Sequence, residues 1–556
     1  MVDGEPVVRV PVLIVGGGPV GLALALLLDH HGVACTVLDD GDGPRGTPRG
    51  STHNARTMEH YRRLGLAEAV RGLGLPPADP TDVAYFTRYA GYPLARLPMP
   101  SAAAKRRAVA ESGVTDQVPE PLHRANQMYV ERLLYAAARA RPGIAVHPAW
   151  RVLDVRQDGS AAEATAERAG DGRRQRWRAR YVVGCDGARS VVRAAIGAHY
   201  AGEGGVDQRI LGRRATALHL RLPTLYRDVL TGPRAWSYWA VNDELAVNLI
   251  ALDGESEFFL LTSSIDPDDP DPGRAAELVR RAAGADVPVE VLDRRAWTPG
   301  QALVAERFAD RRLLLAGDAA HLFTPTGGFG MNTGIDDAAN LAWKLAGALQ
   351  GWGGPGLVGS YGAERRPIAL RNTAAARRLN RNLADIAPTA VLEEDSAKGA
   401  AERDRVGALL STYGEQFASI GVQLGARYDG SPLLHPDGAA PPPDSPTEYV
   451  PSAVPGGRAP HAWCGPGRGP GDSLFDRLGP GFTLLRLGPR PPTAAPAVAA
   501  ARAAGIALTV LDAPDPQIRE LYGRDAALVR PDQHVAWRGD RLPDDPGEWL
   551  RRAAGH

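Results

Sequence analysis

VPVLIVGGGPVGLALALLLDHHGVACTVLDD, Val10 to Asp40, is the stretch whose reading decides the fold. Val12 to Val15 form a short apolar run of the kind buried on both faces of a parallel sheet. Glycines follow at once, and then a Leu/Ala stretch of helical length. Val33 to Leu38 is a second apolar run, so the segment closes a βαβ unit. Gly16, Gly17, Gly18, Pro19, Val20 and Gly21 fit G-x-G-x-x-G at the strand-to-helix turn, and Asp39 ends the second strand. Glycines there permit a tight turn and close approach of backbone to a pyrophosphate, whose charge the helix N-terminus favours, while an acid at Asp39 can accept from ribose hydroxyls. The segment predicts a Rossmann-like, dinucleotide-binding α/β domain.

Composition narrows the partners. A chain of 556 residues is too long for one ordinary domain, and two or three are expected. With 64 basic and 64 acidic residues there is no electrostatic footprint for nucleic acid or an anionic membrane, which favours a small organic partner. The three cysteines, Cys35, Cys185 and Cys464, form no CxxC and no metal-ligand spacing, so neither a disulfide framework nor a metal site is expected. The N-terminus lacks the charge pattern of a signal peptide and no apolar run approaches spanning length, which reads as a cytoplasmic protein. Lysine occurs only at Lys105, Lys344 and Lys398, a bias toward arginine that fits a GC-rich bacterial genome.

Two further strand exits carry an acid among small residues: Asp186 in GCDGARSVVR and Asp318 in LLLAGDAAH. In doubly wound sheets ligands gather at such exits. Between Gly205 and Pro299 the texture changes to alternating stretches such as AWSYWAVNDELAVNLIAL, which predict an inserted antiparallel sheet with one wet face. From Glu394 to Pro446 the chain is polar and rich in Pro and Gly, and beyond it GFTLLRLG, GIALTVLD, AALVRP and HVAWRG predict a small α/β module.

Three motifs in order, GGGPVG, GCDGARS and AGDAAHLFTPTGGFGMNTGIDDAANLAWKLAG, followed by ERRP at Glu364 to Pro367, make the chain resemble the FAD-dependent aromatic hydroxylases, the group A flavoprotein monooxygenases. GGRAPHAW at Gly456 to Trp463 and LVRPDQHVAWRGD at Leu528 to Asp540 resemble the thioredoxin-like C-terminal domain of the phenol-hydroxylase and polyketide-hydroxylase branch, with the rebeccamycin-pathway type nearest. The resemblance implies a discontinuous FAD-binding domain at 1–77, 119–204 and 300–395, and a substrate-binding domain at 78–118 and 205–299. It also implies a connector at 396–445 and a thioredoxin-like domain at 446–556.

It further implies FAD as cofactor, NADPH or NADH as transient co-substrate with no second nucleotide motif, and O₂. The last passes through a flavin C4a-hydroperoxide to an aromatic, polycyclic substrate in bacterial secondary metabolism. The protein is expected as a monomer or homodimer without nucleic-acid or membrane partners. Asp318 would hold the ribityl chain, while Pro325, Gly327, Gly328 and Gly330 let a loop lie against the flavin ring. Thr333 to Asp336 spells a capping-box variant, so a helix is expected to start there, with the amides of Met331 and Asn332 stabilising charge on the reduced ring. Arg49 would lie near the cofactor phosphates and Gln127 at the start of a helix packed against it, while Arg56 and His321 read as structural.

No substrate-deprotonating residue is assigned; His219, Tyr238 and Arg209 are the candidates in the sheet region, each read more readily as packing or surface. Trp236, Tyr238 and Trp239, like Tyr85, Phe86 and Tyr89, could line an aromatic pocket or fill sheet core. The C-terminal module has only Cys464, so dithiol exchange is excluded. Three rival readings differ in class. A halogenase lacks its Trp-x-Trp-x-Ile-Pro motif here. A same-fold Baeyer–Villiger or oxidative-decarboxylation enzyme, and a non-catalytic flavoprotein that shelters an intermediate, are distinguished by turnover.

Overall fold

The computed structural model describes residues 7–204, 215–269, 271, 273–297, 301–382 and 388–556. Val8–Val15 is the central strand of the first sheet. It pairs in parallel with Cys35–Leu38 on one side and Arg174–Gly184 on the other. Ile144–His147 extends the first side and Leu313–Leu315 the second, also in parallel. Val12 to Ile14 have no exposed surface, as a strand covered by helices on both faces requires. An antiparallel extension, Trp150–Gln157 and Ala162–Arg168, hangs on the lower half of Arg174–Gly184.

The register fixes the functional edge. Val15 stands opposite both Leu38 and Gly184, and Gly184 opposite Leu315. Since all these strands run the same way, the residues that follow, Gly16, Asp39, Asp186 and Asp318, emerge together at their carboxyl ends.

Among the described residues the second sheet has seven strands, in the order Glu290–Trp297, Ala215–Arg221, Glu257–Thr262, Ala246–Ala251, Ser237–Val241, Val83–Phe86 and Pro93–Leu97. The expected antiparallel pattern holds except that Ser237–Val241 and Val83–Phe86 pair in parallel. Its side chains divide with period two. Leu218, Leu220, Leu249, Phe258 and Leu260 pack with the helix Gly273–Ala283, whereas Ala217, Ile250, Phe259 and Leu261 face the other way.

In the C-terminal sheet, Phe482–Leu487 pairs in parallel with Leu508–Ala513 and antiparallel with Ala526–Val529, which continues to Val535–Gly539. The helices Ala495–Ala503, Pro516–Tyr522 and Pro546–Ala553 complete a thioredoxin-like arrangement. Cys35, Cys185 and Cys464 are all free thiols. The Pro- and Gly-rich stretch before this module is more structured than its composition implies. It holds the helix Ala397–Ser411, whose Val406 and Leu410 pack against Val83 and Tyr85 of the second sheet.

Candidate active site

The glycine turn is built as the sequence requires. Gly16 has φ +105°, and a Cβ there would stand 2.3 Å from the carbonyl oxygen of Cys185. Gly21 lies so close to the strand that a Cβ would fall 2.0 Å from the Gly16 oxygen. The helix Pro19–His30 starts from Gly18, which offers no side-chain cap, so the amides of Val20 and Gly21 have no helical acceptor. Asp39 closes the turn: its carboxylate accepts from the amides of Gly17 and, at 2.9 Å, Gly41.

Asp186 accepts from Val191 N at 2.7 Å through Oδ2, while its Oδ1 is buried without a partner. Burial pushes this carboxyl above its ordinary range. Asp318 follows Gly317, whose φ is +62°, and is exposed in the crevice. Desolvation by the crevice walls raises its carboxyl, against the pull of His321, Arg49 and Arg45. Arg193, which sequence reasoning missed, ties these two loops together. It donates to Ala188 O at 2.7 Å, Ala319 O at 3.2 Å and the Tyr200 hydroxyl at 2.7 Å, and that hydroxyl in turn donates to Asp318 O. Arg49 is exposed, and its guanidinium makes no ion pair among the described residues. Gln127 opens the helix Gln127–Arg139, with Nε2 3.5 Å from Glu131 Oε2.

Across the crevice the loop Pro325 to Gly328 leads into the long helix Phe329–Gln350. Gly327 and Gly328 have φ +83° and +66°, and a Cβ on Gly328 would stand 2.8 Å from Thr52 Cβ. The helix therefore starts four residues before the Thr333 expected from the sequence. The free amides of its first turn are those of Phe329, Gly330 and Met331, since Asn332 has the Gly328 carbonyl one turn back. The Asn332 side chain is committed to structure: it accepts from Asn54 N at 2.9 Å and donates to Thr52 O at 2.9 Å.

Asp336 is no capping residue. Its carboxylate accepts from Arg365 Nη1 at 2.5 Å, His60 Nε2 at 2.9 Å and Arg56 Nε at 3.3 Å. Asp337 takes Arg365 Nε at 2.8 Å and His321 Nε2 at 2.6 Å, so Arg56 and His321 are indeed structural groups. The helix is buried on nearly every side, not along one stripe, and its charged residues are paired inside the protein. Lys344 and Arg530 both donate to Glu364, and Arg530 also pairs with Asp532, which binds the C-terminal module to the back of this helix.

Between the glycine loop and the second sheet lies a cavity of about 880 Å³. Trp236, Trp239 and Trp297 line it together with Ile250, Phe259 and Leu261. Trp239 stacks on Tyr85 at 6.1 Å, while Tyr238 and Tyr89 fill the opposite core. His219 pairs with Glu257 at 3.1 Å, and Arg209 lies outside the described residues. Phe417 and Gln423 reach the cavity from the stretch read as connector, and Lys105 and Arg124 from segments with no motif; sequence reasoning found none of these four. Among the described residues there is no group of His, Cys, Asp or Glu placed to hold a metal, and no helix long and apolar enough to cross a membrane.

The residues present fit a bound flavin dinucleotide. The glycine turn leaves a cradle that side chains would fill, with nothing within 4 Å of a Cβ on Gly18. The orphaned Asp186 Oδ1 is an acceptor and the unpaired Arg49 a cation, the two kinds of group that the hydroxyls and phosphates of such a cofactor call for.

Comparison with known proteins points the same way. Residues 9–376 match the FAD binding domain family and residues 452–556 the aromatic-ring hydroxylase C-terminal family. An FAD-dependent monooxygenase of Emericella nidulans, apdD, is 31% identical, with 98% of this chain and 90% of that protein covered. The tetracenomycin B2 monooxygenase-dioxygenase of Streptomyces olivaceus is 32% identical, with 97% of each covered. The structure of the rebeccamycin biosynthetic enzyme RebC with reduced flavin superimposes with a TM-score of 0.86 at 34% identity, covering 99% of this chain and 100% of that one.

Proposed function

This chain belongs to the FAD-dependent aromatic-ring hydroxylases and is a monooxygenase. On that premise we propose that it inserts one oxygen atom of O₂ into a polycyclic aromatic compound of bacterial secondary metabolism, at the expense of NADPH or NADH. The observation that carries this reading is the cavity of about 880 Å³, walled by three tryptophans, that opens directly on the Thr326 to Gly328 loop. One side of that space, along Arg49 and the Pro325 to Gly328 loop, would face the cofactor, and the tryptophan-walled remainder suits a flat fused ring system.

FAD, when bound, supplies the two-electron uptake from nicotinamide and the activation of O₂. The protein's own residues do the rest. Gly16 to Gly21 and Arg49 would cradle the pyrophosphate, Asp39 and Asp186 accept from cofactor hydroxyls, and Asp318 orient the ribityl chain. Gln127 would pack beside the cofactor, and Pro325, Gly328 and Gly330 keep side chains clear of the ring. The first-turn amides around Met331, on a helix held from behind by Arg365 and Asn332, would present positive potential to its edge. Trp236, Trp239 and Phe417 would exclude water and hold the substrate plane. The enzyme would act in the cytoplasm, a setting its free cysteines suit, as a monomer or homodimer.

Aerobic turnover with NADPH or NADH and a panel of polycyclic phenols and ketones tests the proposal. Substrate-dependent O₂ uptake and a product one oxygen heavier and newly phenolic are expected. A lactone product would assign the Baeyer–Villiger course and loss of CO₂ the decarboxylative one. Tight binding with no product would leave a flavoprotein that shelters its ligand.

A further inference from the structure

The cavity wall is one-sided in charge. Its described lining includes Arg49, Lys105, Arg124 and Arg295, and no Asp, Glu or His. Arg295 is otherwise engaged, and Arg49 is the cation proposed for the cofactor phosphates. Arg295 donates to Thr47 Oγ1 at 2.5 Å and to Pro48 O, and Arg49 lies within the electrostatic reach of Asp318 on the nucleotide side.

Arg124 is different. It is 7% exposed and makes no ion pair among the described residues. Nη1 donates to Thr52 Oγ1 at 2.5 Å, Nε is buried without a partner, and the guanidinium lies over the rings of Trp236 at 3.7 Å and Phe417 at 5.7 Å. Among the described residues Lys105 Nζ has only the Leu122 carbonyl, at 3.2 Å. Burial alone lowers Arg124 to about 9, with no acid opposing it. Burial and the charges of Arg124 and Arg71 lower Lys105 to about 7. Two cations desolvated beside each other, without a counter-ion among the described residues, are unfavourable in the empty protein, and an anionic ligand would relieve both.

We infer that the aromatic substrate carries a carboxylate, received by Arg124 with Lys105 beside it. Arg is the side chain whose planar fork matches that group, and the flanking Trp236 and Phe417 rings fix the plane of the fork. Thr52, which Arg124 holds, is the residue that abuts Gly328, so the anionic end lies next to the loop that faces the flavin. The inference rests on the reading of this cavity as the aromatic-substrate site.

The test uses the FAD-loaded full chain, titrated with anthraquinone-2-carboxylate and with its neutral isostere anthraquinone-2-carboxamide. Binding is followed by flavin difference absorbance and by calorimetry. At neutral pH the carboxylate is expected to bind at least about tenfold tighter. Arg124→Met should bring the two within about twofold, with the carboxamide affinity and the flavin spectrum unchanged, and Arg124→Lys should restore part of the preference. If Arg124→Met does not hold FAD, the acid-to-amide ratios of wild type, Arg124→Lys and Lys105→Met decide, with a narrowed ratio in both variants expected. Equal affinities in the wild type would overturn the inference and leave the aromatic site standing. So would an Arg124→Met protein that weakens both compounds alike with a shifted flavin spectrum, which would give Arg124 to the cofactor. If neither compound binds, the reading of the cavity falls and the inference with it.

Discussion

Replacing Glu364 by Gln should unsettle the joint between the flavin helix and the C-terminal module by an amount that depends on pH. The Glu364 side chain has no exposed surface. Its Oε1 accepts from Arg530 at 2.7 Å and Ser431 at 2.5 Å, and its Oε2 from Lys344 at 2.6 Å, Arg530 at 2.8 Å and Asn340 at 2.8 Å. A glutamine retains one acceptor oxygen and turns an NH₂ toward donors, leaving Lys344 and Arg530 with only Asp532 as acid. Breaking a buried pair in this way costs about 3–5 kcal/mol.

Lys344 then changes its titration. In the wild type burial lowers its ammonium to about 8, with Glu364 opposing the shift, against about 10.4 in an unfolded chain. Without Glu364 its folded pKa falls further, and Lys344 sheds its proton near neutrality. The unfolded chain then binds the extra proton, so the stability of the variant rises with pH by up to about 1.4 kcal/mol per unit. In the wild type this group contributes a rise mainly above about 8. Between about pH 7 and about pH 8 the variant gains about 1–1.3 kcal/mol and the wild type about 0.4, so the deficit should shrink by roughly 0.6–1 kcal/mol. Urea unfolding of the FAD-loaded protein, followed by tryptophan fluorescence at both pH values, measures it. A deficit below about 1 kcal/mol at the lower pH, or one that ignores pH, would refute the reasoning.

Other consequences are equally direct. Gly16→Ala places a methyl 2.3 Å from the Cys185 oxygen at φ +105°, so the soluble protein should lack FAD by its ratio of flavin to protein absorbance; normal FAD content would contradict the geometry. Asp318→Ala should give a folded protein that releases FAD on gel filtration, while retained FAD with unchanged affinity would remove Asp318 from the ribityl chain. Asp39→Ala loses an acceptor for two loop amides as well as for the ribose, so the FAD dissociation constant should rise about 10- to 100-fold with the spectrum of bound flavin unaltered.

Lys105 faces Arg124, His123 and an Arg71 already paired with Glu120, and its ammonium lies at about 7. Binding of anthraquinone-2-carboxylate should therefore take up a proton above that pH and weaken as pH rises. Calorimetry in buffers of different ionisation enthalpy reads the uptake, and a binding heat independent of buffer would exclude it.

The nucleotide edge was legible because its signals are local. Each crossing announces itself by a short apolar run, at least one glycine and an acid at the strand exit, and parallel register then brings Gly16, Asp39, Asp186 and Asp318 to one side. The helix start was misread because Thr333 and Asp336 have the spacing of a capping box, while the partners that claim Asp336, Arg56 and His60, come from about 280 residues away. Period-two alternation separates Tyr238 from Trp239, but only the packing of the helix Gly273–Ala283 says which face is core. The charge of the cavity is invisible in a chain with 64 acids and 64 bases, because it depends on which segments meet. Polar composition likewise concealed Phe417, a single aromatic residue delivered to the cavity by a stretch that otherwise reads as connector.

If the tryptophan-walled cavity is the aromatic-substrate site beside the flavin, its occupation should set how fast the flavin accepts electrons. Anaerobic stopped-flow reduction of the FAD-loaded protein by NADPH and by NADH, with and without polycyclic aromatic ligands, tests it most directly. Slow reduction of the free enzyme and strong acceleration by one compound class are expected. Reduction at the same rate whatever ligand is present, or no reduction at all, would contradict it.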